Sequence, residues 1–335
     1  MLILSRRDVL ELLSPRDCID AVERAFRLHA AGGSLGPGVL GIRAGDGGFH
    51  IKAAGLLGER SYFAAKINAN FPDNPRRVGL PSIQGTVMLA DASTGTPLAV
   101  MESGSVTALR TGAATAVAAR FLARRDSQTV TLVGAGVQAE FQLAALAEVL
   151  PLRRAWVLDI DPTRAERFAA RAEGRLGFPV EAAGDLRGAL RVSDVCVTCT
   201  PARAPLVAAA DVVPGTFVAA VGADSQGKQE LDPKLVATAT LVVDVLEQCA
   251  EIGELQHALA AGLITREGVH AELADVVAGR RAGRTRADEI TVFDSSGTAL
   301  QDVAAAIALY ENARAAGRGM DVTLDADVLG APGAR

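Results

Sequence analysis

The sequence predicts an α/β protein in which a Rossmann-type, doubly wound parallel sheet is joined to a β-rich α+β domain. From 128 to about 297, apolar β-rich runs alternate with amphipathic segments, the pattern of parallel strands with helical crossovers. From about 36 to 100 the runs are shorter and punctuated by Gly, Pro, Asn and Asp, as antiparallel hairpins are. With 335 residues, the chain exceeds what one ordinary hydrophobic core supports, so two such units and a cleft are expected.

In order along the chain, Ser14 as N-cap, Pro15 at the first helical position and Asp17 in the first turn open a helix. Ile19, Val22 and Phe26 give it one apolar face. FHIKAA, YFAAKINAN, SIQGTVMLAD and PLAVME then read as strands, and TALRTGAATAVAARFLA (107–123) as a small-residue helix that packs closely enough to bridge to the next unit. QTVTLVGAG, RAWVLDI, SDVCVTCT, GTFVAAVG, ATLVVDV and EITVFDS are the strands of the parallel sheet, and ALQDVAAAIALYENARAAG follows the last of them. The expected division is a first domain over 1–122, to which a helix at 299–318 returns, a dinucleotide-fold domain over 123–298, and a tail over 319–335.

Composition excludes several function classes. Apolar residues are 49% and charged residues 22%, as in folded globular chains, and 34 basic residues are interspersed with 39 acidic ones for a net charge of −5. No basic block suggests a nucleic-acid partner. Arginines follow the opening MLILS too soon for a secretory peptide, and no apolar run reaches the roughly 18 to 20 residues of a membrane helix, so a cytoplasmic protein without a membrane partner is expected. Cys196 and Cys199 form a C-x-x-C within a strand-like run, where positions three apart point to opposite faces, and the four histidines show no ligand spacing; no metal site is expected.

The chemistry begins at Gly134-Ala135-Gly136-Val137-Gln138-Ala139, a G-x-G-x-x-A turn directly after the strand TVTLV and directly before a helix. Gly134 permits the tight turn, Gly136 lets the backbone approach a pyrophosphate, and Ala139 allows close helix packing, while the helix N-terminus offers free N–H groups to the anion. Asp159 ends the next strand 20 residues beyond Ala139, where a carboxylate accepts hydrogen bonds from the adenosine ribose. The expected cofactor is NAD, with NADP the alternative that Arg164, one helical turn on, keeps open.

The pieces AAKINANFPDNP, GLPSIQGTVMLADASTGTPLAVMES, TALRTGAATAVAARFLA, GAGVQAEFQ, VGADSQGKQELDP and EITVFDSSGTALQDV resemble the ornithine cyclodeaminase, mu-crystallin and archaeal-type alanine dehydrogenase family over essentially the whole chain. The resemblance implies a homodimer paired through the N-terminal domain. It places the substrate-carboxylate or acid–base lysine on Lys66, a cofactor-contacting arginine on Arg110 beside Thr111, and the catalytic aspartate on Asp224. It puts further cofactor contacts on Ser82, Thr200, Val221, Gly222, Lys228 and Ser295, and a substrate contact on Ser296.

The residues themselves support these positions while leaving alternatives. Burial of Lys66 in a strand would lower its pKa toward the range of a proton donor, or leave a charge that needs an anion; a snorkelling strand lysine is the plain alternative. Arg110 could fork onto a phosphate or carboxylate, or be a solvated surface arginine. Asp224 follows the apolar strand VAAVGA, beyond whose carboxyl end ligands bind, but with Lys228 four residues on it could equally be a structural ion pair.

One departure stands out. The family's arginine in the first strand of the β-rich region would fall near Pro37 or Gly38, where there is none, and Arg43 or Lys52 is expected to supply the missing charge. The implied activity is hydride transfer between a nicotinamide and the α-carbon of a small L-amino acid or its imino acid, with Asp224 or Lys66 as acid–base. An alanine dehydrogenase-like or imine-reducing enzyme is expected; the alternatives are an ornithine cyclodeaminase, whose hydride returns to the product, and a silent binder of NAD(P) or a small ligand.

Overall fold

The computed structural model describes residues 1–324 and contains two main sheets. The first has seven strands in the order Met320–Asp321, Leu2–Leu4, Pro97–Glu102, Ile83–Asp91, Tyr62–Asn70, Gly47–Leu56 and Ser34–Ala44. Its last five are antiparallel neighbours, as the punctuated runs predict. Two short elements precede the helix expected at Pro15: strand Leu2–Leu4, parallel to Pro97–Glu102, and helix Arg6–Leu12, closed by a capping box between Ser5 and Asp8. Helix Pro15–Ala30 starts at its Ser14 cap. The expected tail contributes Met320–Asp321 at the sheet edge; its residues 325–335 lie outside the described residues.

The second sheet has eight strands, all parallel, in the order Ala271–Glu272, Thr240–Val243, Thr291–Asp294, Phe217–Ala220, Val195–Thr198, Thr129–Val133, Arg154–Leu158 and Val180–Ala182. Six are the runs read from the sequence. The two edge strands have two and three residues, too short to show periodicity. Strand order reverses at Thr129–Val133, so a crevice opens between its carboxyl end and that of Val195–Thr198.

Two helices join the sheets. Ser103–Leu122 starts four residues before the expected 107 because the Glu102 carboxylate accepts the N–H groups of Gly104 and Ser105. It is buried along nearly its whole length, between Pro15–Ala30 and the glycine-turn helix Val137–Ala147. A Cβ on Gly112 would stand 2.6 Å from the Phe141 carbonyl, which is why small residues fill this face. Helix Ala299–Ala316 leaves the parallel sheet after Thr291–Asp294 and packs on Pro15–Ala30 and on strands Gly47–Leu56 and Tyr62–Asn70. No helix among the described residues is long and apolar enough to cross a membrane.

Candidate active site

Cross-strand register builds the first half of the site. Val39, Lys52, Lys66 and Val87 stand opposite one another on four adjacent strands, so the two lysines share a face with their Cβ atoms roughly 5 Å apart. Both are buried. Like charges so placed repel, and the compensation comes from helix Ala299–Ala316: Lys66 Nζ lies 2.8 Å from both carboxylate oxygens of Asp302 and 3.4 Å from the Thr107 hydroxyl. Arg110, also buried, donates from Nε to the same carboxylate at 2.9 Å and from Nη1 to Gln301 Oε1 at 2.7 Å. Thr111, next to it, turns its hydroxyl onto the Thr107 carbonyl. Neither a snorkelling Lys66 nor a solvated Arg110 survives this geometry.

Lys52 reaches between the sheets, donating to the carbonyls of Ser296 at 3.3 Å and Gly297 at 2.5 Å in the loop after Thr291–Asp294. Of the two cations expected to replace the missing arginine, Lys52 is the one that lies opposite Lys66 and reaches this loop. Arg43 is a correction: it pairs with Gly48 near the tip of the outer hairpin, and its side chain is exposed. Ser296 needs a second correction. Its hydroxyl does not face an open cleft but is buried, donating to Asp244 at 2.7 Å and accepting from Gln248 at 2.9 Å, and it is its carbonyl that meets Lys52. Ser295 is buried against the same aspartate at 3.5 Å.

The electrostatics follow from two cations, Lys66 and Arg110, sharing the Asp302 carboxylate, with Lys52 beside them on backbone carbonyls. Burial lowers Lys52 from its ordinary value, with Arg110 acting in the same sense. Burial also brings Lys66 down to about 7, against the opposing pull of Asp302. Burial works to raise Asp302, but Lys66 and Arg110 outweigh it and hold the carboxyl below its usual range. The cluster keeps an excess of positive charge that an anionic ligand would neutralise.

Asp224 follows strand Phe217–Ala220, its side chain 55% accessible, and Lys228 Nζ meets it at 2.6 Å, so the ion pair that the spacing allowed is formed. Crowding by the surrounding protein works to raise its carboxyl although the side chain reaches solvent, yet Lys228 first, then Lys52 and Arg110, leave it below the usual range. Ser82 lies in the connection just before strand Ile83–Asp91, where its hydroxyl donates to the Pro72 carbonyl.

The glycine turn fits a dinucleotide. Gly134 has φ +105°, and a Cβ there would meet the Cys199 carbonyl and Thr200 at 3.0 Å, whereas a Cβ on Gly136 would meet nothing within 4 Å. Helix Val137–Ala147 starts with no side-chain cap and with Val137 65% exposed, so its first N–H groups face open space; Ala139 is fully buried behind them and Gln138 stands between. Asp159 accepts the N–H of Ala135 at 2.9 Å and of Asp161 at 3.0 Å, which fixes the carboxylate across the turn, and Arg164 stands 3.6 Å away. Thr200, Val221 and Gly222 form the loops after the next two strands of the sheet.

Residues 1–317 match the ornithine cyclodeaminase/mu-crystallin family. The chain belongs to this family. It is 41% identical to the alanine dehydrogenase of Archaeoglobus fulgidus over 313 residues, 93% of this chain and 95% of that one. Among solved structures, an archaeal alanine dehydrogenase dimer with bound NAD superposes with a TM-score of 0.92 at 39% identity, covering 97% of this chain and 99% of the other. The Thermococcus litoralis Δ1-pyrroline-2-carboxylate reductase, in complex with NADH and L-proline, gives a TM-score of 0.92 at 37% identity over 96% of this chain and 100% of its own.

Within this family member, sequence reading missed the acidic half of the site: Asp302 with Gln301, and Asp244. A signal for the first pair exists, since Gln301 and Asp302 are adjacent polar residues in an otherwise apolar helical start and both are fully buried.

Proposed function

We propose that the protein is an NAD-dependent oxidoreductase that moves a hydride between the cofactor and the α-carbon of a small L-amino acid or the corresponding imino acid. The observation that carries this reading is the buried pairing of Lys66 and Arg110 on Asp302, with Lys52 beside it on the loop after Thr291–Asp294, at the carboxyl edge of a parallel sheet whose glycine turn fits a dinucleotide. Bound at Gly134–Ala139, NAD would supply the hydride acceptor or donor.

The chain's own residues do the rest. Lys52 and Arg110 offer charge-assisted hydrogen bonds to the substrate carboxylate or a cofactor phosphate. Lys66, with a pKa of about 7, exchanges a proton with the substrate amine or imine at working pH, and Asp224 stands on the cleft's other wall as the second acid–base group. Asp159 accepts from the adenosine ribose, which favours NAD over NADP. Ser82, Thr111, Thr200, Val221, Gly222, Lys228 and Ser295 complete the proposed cofactor surroundings.

We further propose that residues 1–122 with the returning helix form the substrate unit, 123–298 the cofactor unit, and that two chains pair through the first. Val39, Leu40, Ile42, Phe49, Ile67 and Ile83 support the pairing, because they leave exposed apolar surface on the hairpin sheet. A cytoplasmic setting suits its four unpaired cysteines.

Incubation with NAD and, separately, L-alanine, L-ornithine, L-lysine and L-aspartate tests the activity, with reduced cofactor and ammonia followed in parallel. Joint release of NADH and ammonia supports the proposal, as does NADH oxidation by an imino acid. Ammonia and proline from ornithine without NADH would identify a cyclodeaminase instead, and silence in every channel a binding protein.

A further inference from the structure

Behind the cofactor loops, three buried carboxylates form a series the activity does not require. Asp294, the last residue of strand Thr291–Asp294, accepts the N–H groups of Glu254 and Leu255 at 3.0 and 2.9 Å. Glu254 in turn accepts those of Glu230 and Leu231 at 2.7 and 3.1 Å. Glu230, fully buried in the short strand Gln229–Leu231, accepts the N–H groups of Thr200 at 2.6 Å and Gly222 at 2.9 Å. Each acid therefore fixes the backbone of the next, and the last one grips two loops that belong to different strands. The grip is tight: a Cβ on Gly222 would stand 2.4 Å from both Glu230 Oε2 and the Thr200 carbonyl.

Thr200 and Gly222 sit beyond the carboxyl ends of neighbouring strands, beside the crevice that opens at the glycine turn. The ladder between those strands ends with the Val221 N–H on the Thr198 carbonyl at 2.9 Å, one residue short of Gly222. A carboxylate is suited to the task because it accepts two N–H groups at once, whereas an amide in its place would turn a donor onto one of them. Strand Gln229–Leu231 pairs with Arg203–Val207, which leaves the Thr200 loop directly, so Glu230 is itself held from two sides.

We infer that Glu230 is a positioning residue for the dinucleotide: it clamps the Thr200 and Gly222 loops at the separation the nicotinamide half of the cofactor requires, before the cofactor arrives. The inference rests on the NAD reading above. Glu230 touches neither substrate nor the proton-exchanging groups, so its removal acts on cofactor binding and leaves the cation cluster intact.

The test compares wild type and Glu230→Gln for NADH binding by fluorescence titration, together with KM for the amino or imino acid and kcat. Loss of one of the two hydrogen bonds predicts a Kd for NADH raised about tenfold, with amino-acid KM and saturated kcat within about twofold. An unchanged Kd in a folded variant overturns the inference, as does a parallel fall of every constant, which would mark a general scaffold role. If wild type itself binds no NADH, the cofactor reading fails rather than this one. Should the variant not fold, hydrogen exchange on wild type decides: protected Thr200 and Gly222 amides in the NAD-free protein support a pre-formed clamp, and protection that appears only with NAD overturns it.

Discussion

The two walls of the cleft treat charge in opposite ways. On the parallel-sheet wall, Asp244, Asp294, Glu254 and Glu230 are buried acids, each accepting a pair of backbone N–H groups. On the hairpin wall, Lys52, Lys66 and Arg110 are buried bases with one carboxylate, Asp302, among them. Main-chain N–H groups tie these acids into the fold as fasteners, while burial raises Glu254 to about 8, Asp294 to about 7 and Glu230 above its ordinary value. The bases are left incompletely compensated, and an unpaired buried charge is too costly to persist without a purpose. The difference separates acids that tie backbone together from bases held ready for a ligand.

The sharpest way to break this contrast is to remove Asp302. Asp302→Asn leaves Lys66 and Arg110 buried without a counterion, and thermal unfolding should show a loss of at least about 3 kcal/mol along with loss of turnover; a variant of wild-type stability would mean the cluster is wetter than its geometry implies. Lys52→Met comes next. Removing a charge-assisted contact should raise the amino-acid KM about tenfold to a hundredfold, while Arg43→Ala stays within about twofold, and equal effects would undo the assignment of the missing charge to Lys52.

Lys66 sharpens the contrast through pH. Its folded pKa lies near 7 rather than 10.5, so the unfolded chain holds the proton more tightly between those values. Its unfavourable contribution is complete below about pH 7 and is relieved as pH rises through that window, so denaturant midpoints should move upward from pH 7 to 9 relative to Lys66→Met. In the amino-acid oxidation direction kcat/KM should climb with an inflection near pH 7 that Lys66→Met abolishes. The smallest effect belongs to the far end of the cofactor: Asp159→Ala should weaken NADH about tenfold and relax the preference against NADPH, and unchanged affinity for both would remove Asp159 from the site.

The legibility of these walls in the sequence differs for a physical reason. The glycine turn, its strand and helix, and Asp159 are contiguous, so local pattern sufficed for the dinucleotide fold. The hairpin wall depends on register: Lys52 and Lys66 meet only because two strands pair without a slip, and Asp302 joins them from 236 residues away along the chain. Arg43 and Lys52 occupy the same hairpin, and no local feature tells which faces inward and which sits at the tip. Glu230 and Glu254 were invisible for a related reason, since their partners are backbone groups of distant loops, which leave no mark on side-chain spacing.

Helix Ala299–Ala316 begins at the loop whose carbonyls hold Lys52 and carries Asp302 in its first turn. The separation between cofactor edge and cation cluster is thus measured by a single turn of helix. One residue inserted between Gly297 and Asp302 would swing the carboxylate by about 100° around the axis and point it away from both Lys66 and Arg110. Exposed loops can gain or lose residues at little cost, but this turn is a ruler whose length is fixed to the residue.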